Sequence, residues 1–201
     1  MKKISYKVSL IVALIASSSV ASQAQTSFYK QSYNARNNGT YYRNDMLLSF
    51  AYGFPNTALN SKNSNANYNT GFGPVYAKFE YAVRDEIGIG VSLGAGTGRY
   101  KWHGYKGNGF SFASTFQGFY HFNKLIPVKN LDVYVGSGFS FVSTEYDRNN
   151  GTNNKSKETD FNIYAVSLVG ARWYFNPKFS AFVEVGNDAL TTANLGVTFK
   201  F

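Results

Sequence analysis

The sequence predicts an all-β fold, an eight-stranded antiparallel up-and-down transmembrane β-barrel, and three observations carry this prediction. From about residue 44 onward, apolar side chains recur at every second position, which is the period of a β-strand. Polar stretches rich in Asn, Gly, Ser and Lys separate the alternating segments. One face of each segment carries Leu, Val, Ile or Phe, whereas the opposite face is mostly Gly, Ser, Ala, Thr and Asn.

The composition of the chain limits the class of protein. Its 201 residues suffice for one domain, and 18% of them are aromatic while only 15% are charged. A mean hydropathy of -0.27 excludes a membrane protein made of several helices. The chain has no cysteine, and its net charge of +9 is dispersed rather than gathered in one basic stripe. We therefore predict no nucleic-acid partner.

The N-terminus has the features of a cleavable secretory signal. Lys2 and Lys3 precede an apolar stretch at residues 8–16, and small residues follow it. This stretch is far shorter than the roughly 20 residues that a spanning helix needs. We predict Sec-type export with cleavage after Ala24 or Ala21. The predicted organisation is a signal peptide at 1–24, a loosely ordered N-terminal periplasmic leader at 25–43 and a barrel at 44–201.

The predicted strands each have one apolar face. In the third strand, Ile87, Ile89 and Val91 alternate with glycine and serine. In the sixth strand, Val166 and Leu168 fall on the polar face, which a β-bulge or an apolar patch in the lumen would explain. The eight predicted strands span residues 45–54, 73–83, 87–96, 110–122, 131–141, 161–175, 179–186 and 193–201.

The predicted connections alternate between long loops and tight turns, as they do in transmembrane barrels. The outer loops span residues 55–72, 99–109, 147–159 and, in the last and shortest case, 187–192. The turns on the other side span residues 84–86, 123–130 and 176–178. Together with an even number of strands, these lengths place both chain termini in the periplasm.

The composition of the less apolar face favours a membrane barrel over a soluble one. A barrel surface that meets water carries many Lys and Glu residues, but this face has only isolated charges. Small residues suit the narrow lumen of an eight-stranded barrel. The apolar face then contacts lipid, with aromatic residues near both strand ends as interfacial girdles.

The C-terminal strand, Leu195-Gly196-Val197-Thr198-Phe199-Lys200-Phe201, resembles the closing strand of small bacterial outer-membrane barrels of the OmpA-like and OmpW-like type. The stretch GARWYFNPKFSAF at residues 170–182 is similar to their penultimate hairpin. This resemblance implies location in the bacterial outer membrane and pairing of the last strand with the first. It also implies that the barrel-assembly machinery is a partner during biogenesis and reads Phe199 and Phe201 as an assembly signal.

A small set of charged and titratable residues falls on the predicted lumen face. Buried charges persist when they are paired, so we interpret the set as a structural plug of salt bridges. A gated pore or a proton-sensitive site is the alternative interpretation. Strand directions place all of the set except Lys78 and Glu184 toward the periplasmic end. The set consists of Lys78, Glu80, His121, Asp132, Arg172, Glu184 and Lys200.

No pattern in the sequence indicates catalysis. The chain has two histidines and no cysteine, and no spacing typical of metal ligands, so we predict no catalytic residue, no metal and no cofactor. A lipid-modifying barrel enzyme using Ser, His and an acid would have only His103 in an outer loop as its surface histidine.

The sequence leaves three functional hypotheses. The first is a non-enzymatic outer-membrane barrel with a side-chain-filled lumen and a role in envelope integrity or surface interaction. Its partners are outer-membrane lipid and a surface ligand held by the outer-loop aromatics Tyr68, Trp102 and Tyr105, unless these loops are solvated connectors. The second is a narrow channel for small or apolar solutes. The third is the lipid-modifying enzyme.

Overall fold

The computed structural model describes residues 40–58, 67–102, 105–126, 128–149 and 155–201. The predicted signal peptide, the leader up to residue 39 and His103 lie outside the described residues. Within this part of the chain, no helix has the length and hydropathy needed to cross a membrane.

The described residues form nine β-strands, and every pair of neighbouring strands runs antiparallel. The strands are β1 (Met46–Asn56), β2 (Asn67–Thr70), β3 (Val75–Ala82), β4 (Ile87–Trp102), β5 (Tyr105–His121), β6 (Leu131–Asn149), β7 (Lys155–Asn176), β8 (Phe179–Asn187) and β9 (Thr191–Lys200).

The sheet closes on itself into an eight-stranded barrel. β2 and β3 both pair with β4 and together form one interrupted strand of the barrel. The last strand pairs with the first, with Phe199 opposite Leu48, and β4 also pairs with β5. The predicted all-β fold with eight antiparallel strands is therefore confirmed.

The period-two pattern sorts the side chains into an inward and an outward face. On β6, Ser140 and Tyr134 are fully buried, whereas Phe139 is 63% exposed. On β7, Val166 and Leu168 point into the barrel and Ser167 points outward, while pairing with β6 continues without a break. The apolar lumen patch is thus present. The alternative of a bulge at this position is wrong, since the register shift of β7 lies at 174–176, against β8.

Two predicted outer loops are mostly strand. β4 and β5 pair up to Trp102 opposite Tyr105, and β6 and β7 pair up to Asn149 opposite Lys155. The predicted loops at 99–109 and 147–159 were too long. Apolar alternation identifies only the part of a strand that has an apolar face, and the strands continue into these polar residues. The backbones of Trp102 and Tyr105 accordingly lie in strands, as does that of Tyr68 in β2.

We call the end of the barrel where β1 begins and β9 ends the terminal end, and the opposite end the distal end. The strands also fall into two sets by length. The long wall is β4 to β7, with 16, 17, 19 and 22 residues. The short wall is β1, β3, β8 and β9, with 11, 8, 9 and 10 residues.

Candidate functional site in the barrel lumen

The candidate site residues predicted on the lumen face all point inward and are buried in the structure. They do not form one group. Glu80, His121, Asp132 and Arg172 make a connected cluster at the terminal end, which we call the terminal cluster. Lys78 and Glu184 belong to a second cluster nearer the distal end, together with Asp188. Lys200, at the terminal end, makes an ion pair with Asp45 at 3.2 Å.

The terminal cluster is a closed ring of two carboxylates and two cationic side chains. His121 Nε2 lies 2.7 Å from Glu80 Oε1, and its Nδ1 lies 2.8 Å from Asp132 Oδ1. Arg172 donates from Nη1 to Asp132 Oδ2 at 3.0 Å and from Nη2 to Glu80 Oε2 at 3.3 Å. These four residues come from β3, β5, β6 and β7, so the ring connects four strands across the lumen.

The geometry of the ring matches a protonated histidine. An ionised carboxylate only accepts hydrogen bonds, and both ring nitrogens of His121 face a carboxylate oxygen. With both carboxylates ionised, both nitrogens donate, and the side chain is an imidazolium. Two positive and two negative groups balance each other in this arrangement, as a buried ionic cluster requires.

Tyr41 covers the terminal cluster and was missed by the sequence analysis. Its ring stacks on His121 with a centroid distance of 3.5 Å, and the Tyr134 ring lies on the imidazole at 5.3 Å. Burial, and then the nearby Glu80 carboxylate, raise the pKa of Tyr41 above its usual range. Residues 40–43, predicted as the end of a loosely ordered leader, therefore pack against the barrel. Tyr41 falls before the alternating pattern begins, so periodicity gave no signal for it.

The neighbours of Tyr41 hold this segment at the terminal end. The Thr40 carbonyl accepts a hydrogen bond from Lys200 Nζ at 3.3 Å, and the Tyr41 carbonyl accepts one from Asn123 Nδ2 at 3.3 Å. The Arg43 backbone N–H donates to Asp85 Oδ1 at 3.0 Å. Each bond ties the segment to a different part of the barrel rim.

The second cluster, which we call the distal cluster, is built around Lys78. Its Nζ lies 2.6 Å from Glu184 Oε2 and 2.8 Å from Asp188 Oδ2. Asn194 Nδ2 also donates to Asp188 Oδ2, at 2.7 Å, and the Tyr134 hydroxyl donates to Glu184 Oε1 at 2.9 Å. Burial raises the pKa of Asp188, which lies in the turn after β8.

Asp188 was missed because it belongs to a segment predicted as an outer loop. The turn between β8 and β9 instead folds into the barrel, with Ala189 in the left-handed region at φ 59°. Asp188 and Leu190 are both buried. An isolated Asp in a polar stretch carries no periodic signal, so only the fold identifies its role.

Uncharged side chains occupy the lumen around the two clusters. Phe119, Tyr134 and Leu168 pack together in one apolar group, and Tyr76, Phe182 and Leu190 belong to another. Hydroxyl groups on neighbouring strands pair across the wall at 2.8 to 2.9 Å, in the pairs Ser49 with Thr198, Thr115 with Ser140 and Ser111 with Thr144.

The remaining predicted residues lie outside the lumen or outside the described side chains. Phe199 faces outward, with its ring centroid 5.3 Å from that of Phe179, and Phe201 is exposed. The side chains of Tyr68, Trp102 and Tyr105 are not among those described. Within the described part of the chain, no group of His, Asp and Glu side chains is arranged to hold a metal ion.

Comparison with known proteins identifies the fold and no closer relationship. No family model matches the chain, and no curated protein sequence is similar to it. The outer membrane protein OprG of Pseudomonas aeruginosa matches 81% of this chain and 98% of its own, with a TM-score of 0.58 and 11% identity.

Two further solved structures match less closely in shape. The N-terminal β-barrel domain of P. aeruginosa OprF gives a TM-score of 0.48 and 19% identity over 80% of this chain and 99% of its own. Ail, the attachment invasion locus protein of Yersinia pestis, gives 0.47 and 12% over 79% and 99%. The chain resembles the eight-stranded barrels of outer-membrane proteins.

Proposed function

We propose that this protein is a non-enzymatic bacterial outer-membrane barrel with a side-chain-filled lumen and a role in envelope structure or surface interaction. The observation that carries the proposal is the obstruction of the lumen at two levels, by the terminal cluster under Tyr41 and by the distal cluster around Lys78. Both clusters join strands from different parts of the barrel, so they stabilise the closed wall as well as filling it.

The membrane location is supported by the outward face. Phe139, Ile163 and Val185 are at least 60% exposed, and similar side chains surround the barrel. An apolar surface of this extent is rare on a soluble monomer but is the normal lipid-facing band of a membrane barrel. We infer the bacterial outer membrane because the fold is that of barrels found there.

The proposed orientation follows from the predicted signal peptide and the strand directions. Export through the signal at 1–24 delivers the chain to the periplasm, where the barrel-assembly machinery reads Phe199 and Phe201. The terminal end then faces the periplasm, with both chain termini there. The distal end, which carries Tyr68, Trp102 and Tyr105, faces outside and is available to a surface ligand.

The arrangement of His121 supports the absence of an enzymatic role. Both of its ring nitrogens face carboxylates, so neither is free to accept a proton from a nucleophile. Tyr41 and Tyr134 both stack on the ring. The histidine is thus a structural cation rather than a general base.

A narrow path for small or apolar solutes is the second candidate function. The observation that favours it is the presence of two apolar groups in the lumen, one of Phe119, Tyr134 and Leu168 and one that contains Tyr76 and Phe182. This path would require the two ionic clusters to rearrange.

Single-channel recording in planar bilayers separates the two functions. We expect the refolded mature protein to insert without producing stepwise currents, with insertion verified by co-flotation with lipid vesicles. Resolved conductance steps, or swelling of solute-loaded liposomes, would favour the channel. A mature chain that stays monomeric in water without detergent would overturn the membrane location itself.

A further inference from the structure

A cavity of about 710 Å³ lies on the outside of the barrel at the distal end of the long wall. Its volume is within the range of small-molecule sites. The cavity is lined by Phe72, Arg99, Asn108, Phe110, Glu145 and Asp147, with glycine backbone between them. Arg99, Asn108 and Asp147 are exposed, whereas Gly98 and Gly109, which alternate with them, point inward. The cavity therefore opens on the side of the barrel that faces lipid.

The cavity straddles the boundary between an apolar and a charged row of side chains. In one row across β4, β5 and β6, Ala95 lies opposite Phe112, which lies opposite Ser143. Two rows further toward the distal end, Arg99 lies opposite Asn108, which lies opposite Asp147. Phe110 and Glu145 occupy the row between, so the apolar surface of the barrel ends within the cavity.

The charged residues around the cavity lie on two opposite sides, on β4 and on β6. The Arg99 side chain makes no hydrogen bond or ion pair with the described side chains, although its backbone pairs with β2 and β5. Its Cα and that of Asp147 are roughly 10 Å apart, since two strand spacings separate them. Glu145 lies on the same strand as Asp147 and makes an ion pair with Lys157. The cavity thus has a cationic side at β4, whereas the carboxylates at β6 lie beside Lys157.

We propose that this cavity binds the phosphate-bearing headgroup of a membrane lipid. The Arg99 guanidinium presents a planar fork of donors to the phosphate. The cation that accompanies the phosphate, either an ammonium group of the headgroup or a bridging divalent ion, takes the place of Lys157 beside the Glu145 carboxylate. The acyl chains continue along Phe110 and Phe112 toward the apolar band.

A lipid fits this cavity better than a free anion because the cavity is continuous with the apolar surface that contains Phe110 and Phe112. A free phosphate would leave that surface uncovered. This inference rests on the proposed insertion of the barrel in a membrane.

The test compares Arg99→Gln with Arg84→Gln in the delipidated, detergent-solubilised full-length mature protein. Arg84 is an exposed arginine in the turn at the terminal end, so its substitution changes the same charge away from the cavity. The probe is phosphatidylethanolamine, and bound lipid is counted by native mass spectrometry. We expect Arg99→Gln to weaken lipid binding about tenfold because a charge-assisted contact is lost, and Arg84→Gln to leave it unchanged.

Two further arms identify the source of the phosphate and the cation. Inorganic phosphate at millimolar concentration should not displace the lipid, and displacement would overturn the lipid assignment. Phosphatidylglycerol, which has no ammonium group, should bind with Mg²⁺ and lose that binding on addition of EDTA. Glu145→Gln should weaken binding of both lipids.

The outcomes separate this inference from the proposed function. A chain that is water-soluble and monomeric without detergent overturns the proposed function, and this site with it. A detergent-requiring barrel in which Arg99→Gln and Arg84→Gln bind lipid equally overturns the site alone. Unchanged urea unfolding of Arg99→Gln excludes loss of fold as the cause of lost binding.

Discussion

The strands of the long and short walls end at a similar level at the terminal end of the barrel. At the distal end, the strands of the long wall extend further. A transmembrane β-strand needs about 9 to 11 residues, and the short-wall strands, at 8 to 11, have about that length. The long-wall strands have 16 to 22 residues. Within the described residues, β7 pairs with β8 only from Ser167 onward, so residues 155–166 pair with β6 alone. In the proposed membrane location, the short-wall strands therefore have the length needed to span the bilayer, and the long wall adds a sheet beyond it.

The two ionic clusters relate to these walls in different ways. The terminal cluster joins Glu80 of the short wall to His121, Asp132 and Arg172 of the long wall. The distal cluster is made by the short wall and by Asp188 in the turn between β8 and β9. The Tyr134 hydroxyl connects it to the long wall. The ionic link between the two walls thus lies at the terminal end, while backbone pairing of β3 with β4 and of β7 with β8 also joins them.

The largest effect is expected from Glu80→Ala. This change leaves His121 and Arg172 each facing only Asp132 in a buried site, which costs about 3 to 5 kcal/mol of the free energy of unfolding. Urea unfolding in lipid vesicles, followed by tryptophan fluorescence, measures the loss. Glu158→Ala, on the exposed distal part of β7, is the matched control. Equal stability of the two variants would contradict the role of the terminal cluster as the link between the walls.

Arginine substitutions on the outward face should separate the membrane-spanning region from the distal extension. Val183→Arg, in the short wall, is expected to cost about 2 to 4 kcal/mol because it places a charge in hydrocarbon. Thr159→Arg, in the distal part of β7, should cost about 0 to 1 kcal/mol. The same unfolding measurement compares them. A Thr159→Arg cost as large as that of Val183→Arg would place the extension inside the bilayer.

Two glycines of the long wall should respond differently to alanine. A Cβ at Gly170 would lie 2.4 Å from Tyr134 Cζ, whereas a Cβ at Gly118 meets nothing within 4 Å. Gly170→Ala should therefore cost about 1 to 3 kcal/mol through overpacking of the lumen. Gly118→Ala, on the outward face, should be close to neutral. Similar unfolding midpoints for both would mean that the lumen around Tyr134 is looser than the structure shows.

The smallest effect is expected from Lys157→Ala at the distal end. Lys157 makes an ion pair with Glu145, but the Lys157 side chain is 69% exposed and that of Glu145 42%, so water and salt screen the pair. We expect no measurable change in the unfolding midpoint. A clear loss of stability would show that the extension of the long wall contributes to the stability of the whole barrel.

The sequence predicted the short wall better than the long wall, and the reason is physical. The predicted strand at 179–186 differs from Phe179–Asn187 by one residue, because this strand is apolar on one face over its whole length. The predicted strand at 161–175 begins six residues after Lys155, because residues 155–160 are polar on both faces. Beyond the apolar band, residues 155–160 form a strand because they pair with β6, and neither of their faces needs to be apolar.

The sequence predicts which side chains face the lumen but not which of them contact each other. Alternation identifies which side chains point inward, including Lys78 and Glu184, but not that these two meet. That contact depends on which strands face each other across the barrel. Tyr41 and Asp188 precede or interrupt the periodic segments, so no pattern identified either as a lumen residue.

The stacking of Tyr41 on His121 has a consequence for the order of assembly. Tyr41 precedes β1, whereas His121 ends β5, so the stack is a contact between distant parts of the chain. It forms only after the strands between them are in register. A fluorescent aromatic side chain at position 41 would therefore report late maturation of the barrel, after the individual hairpins have formed.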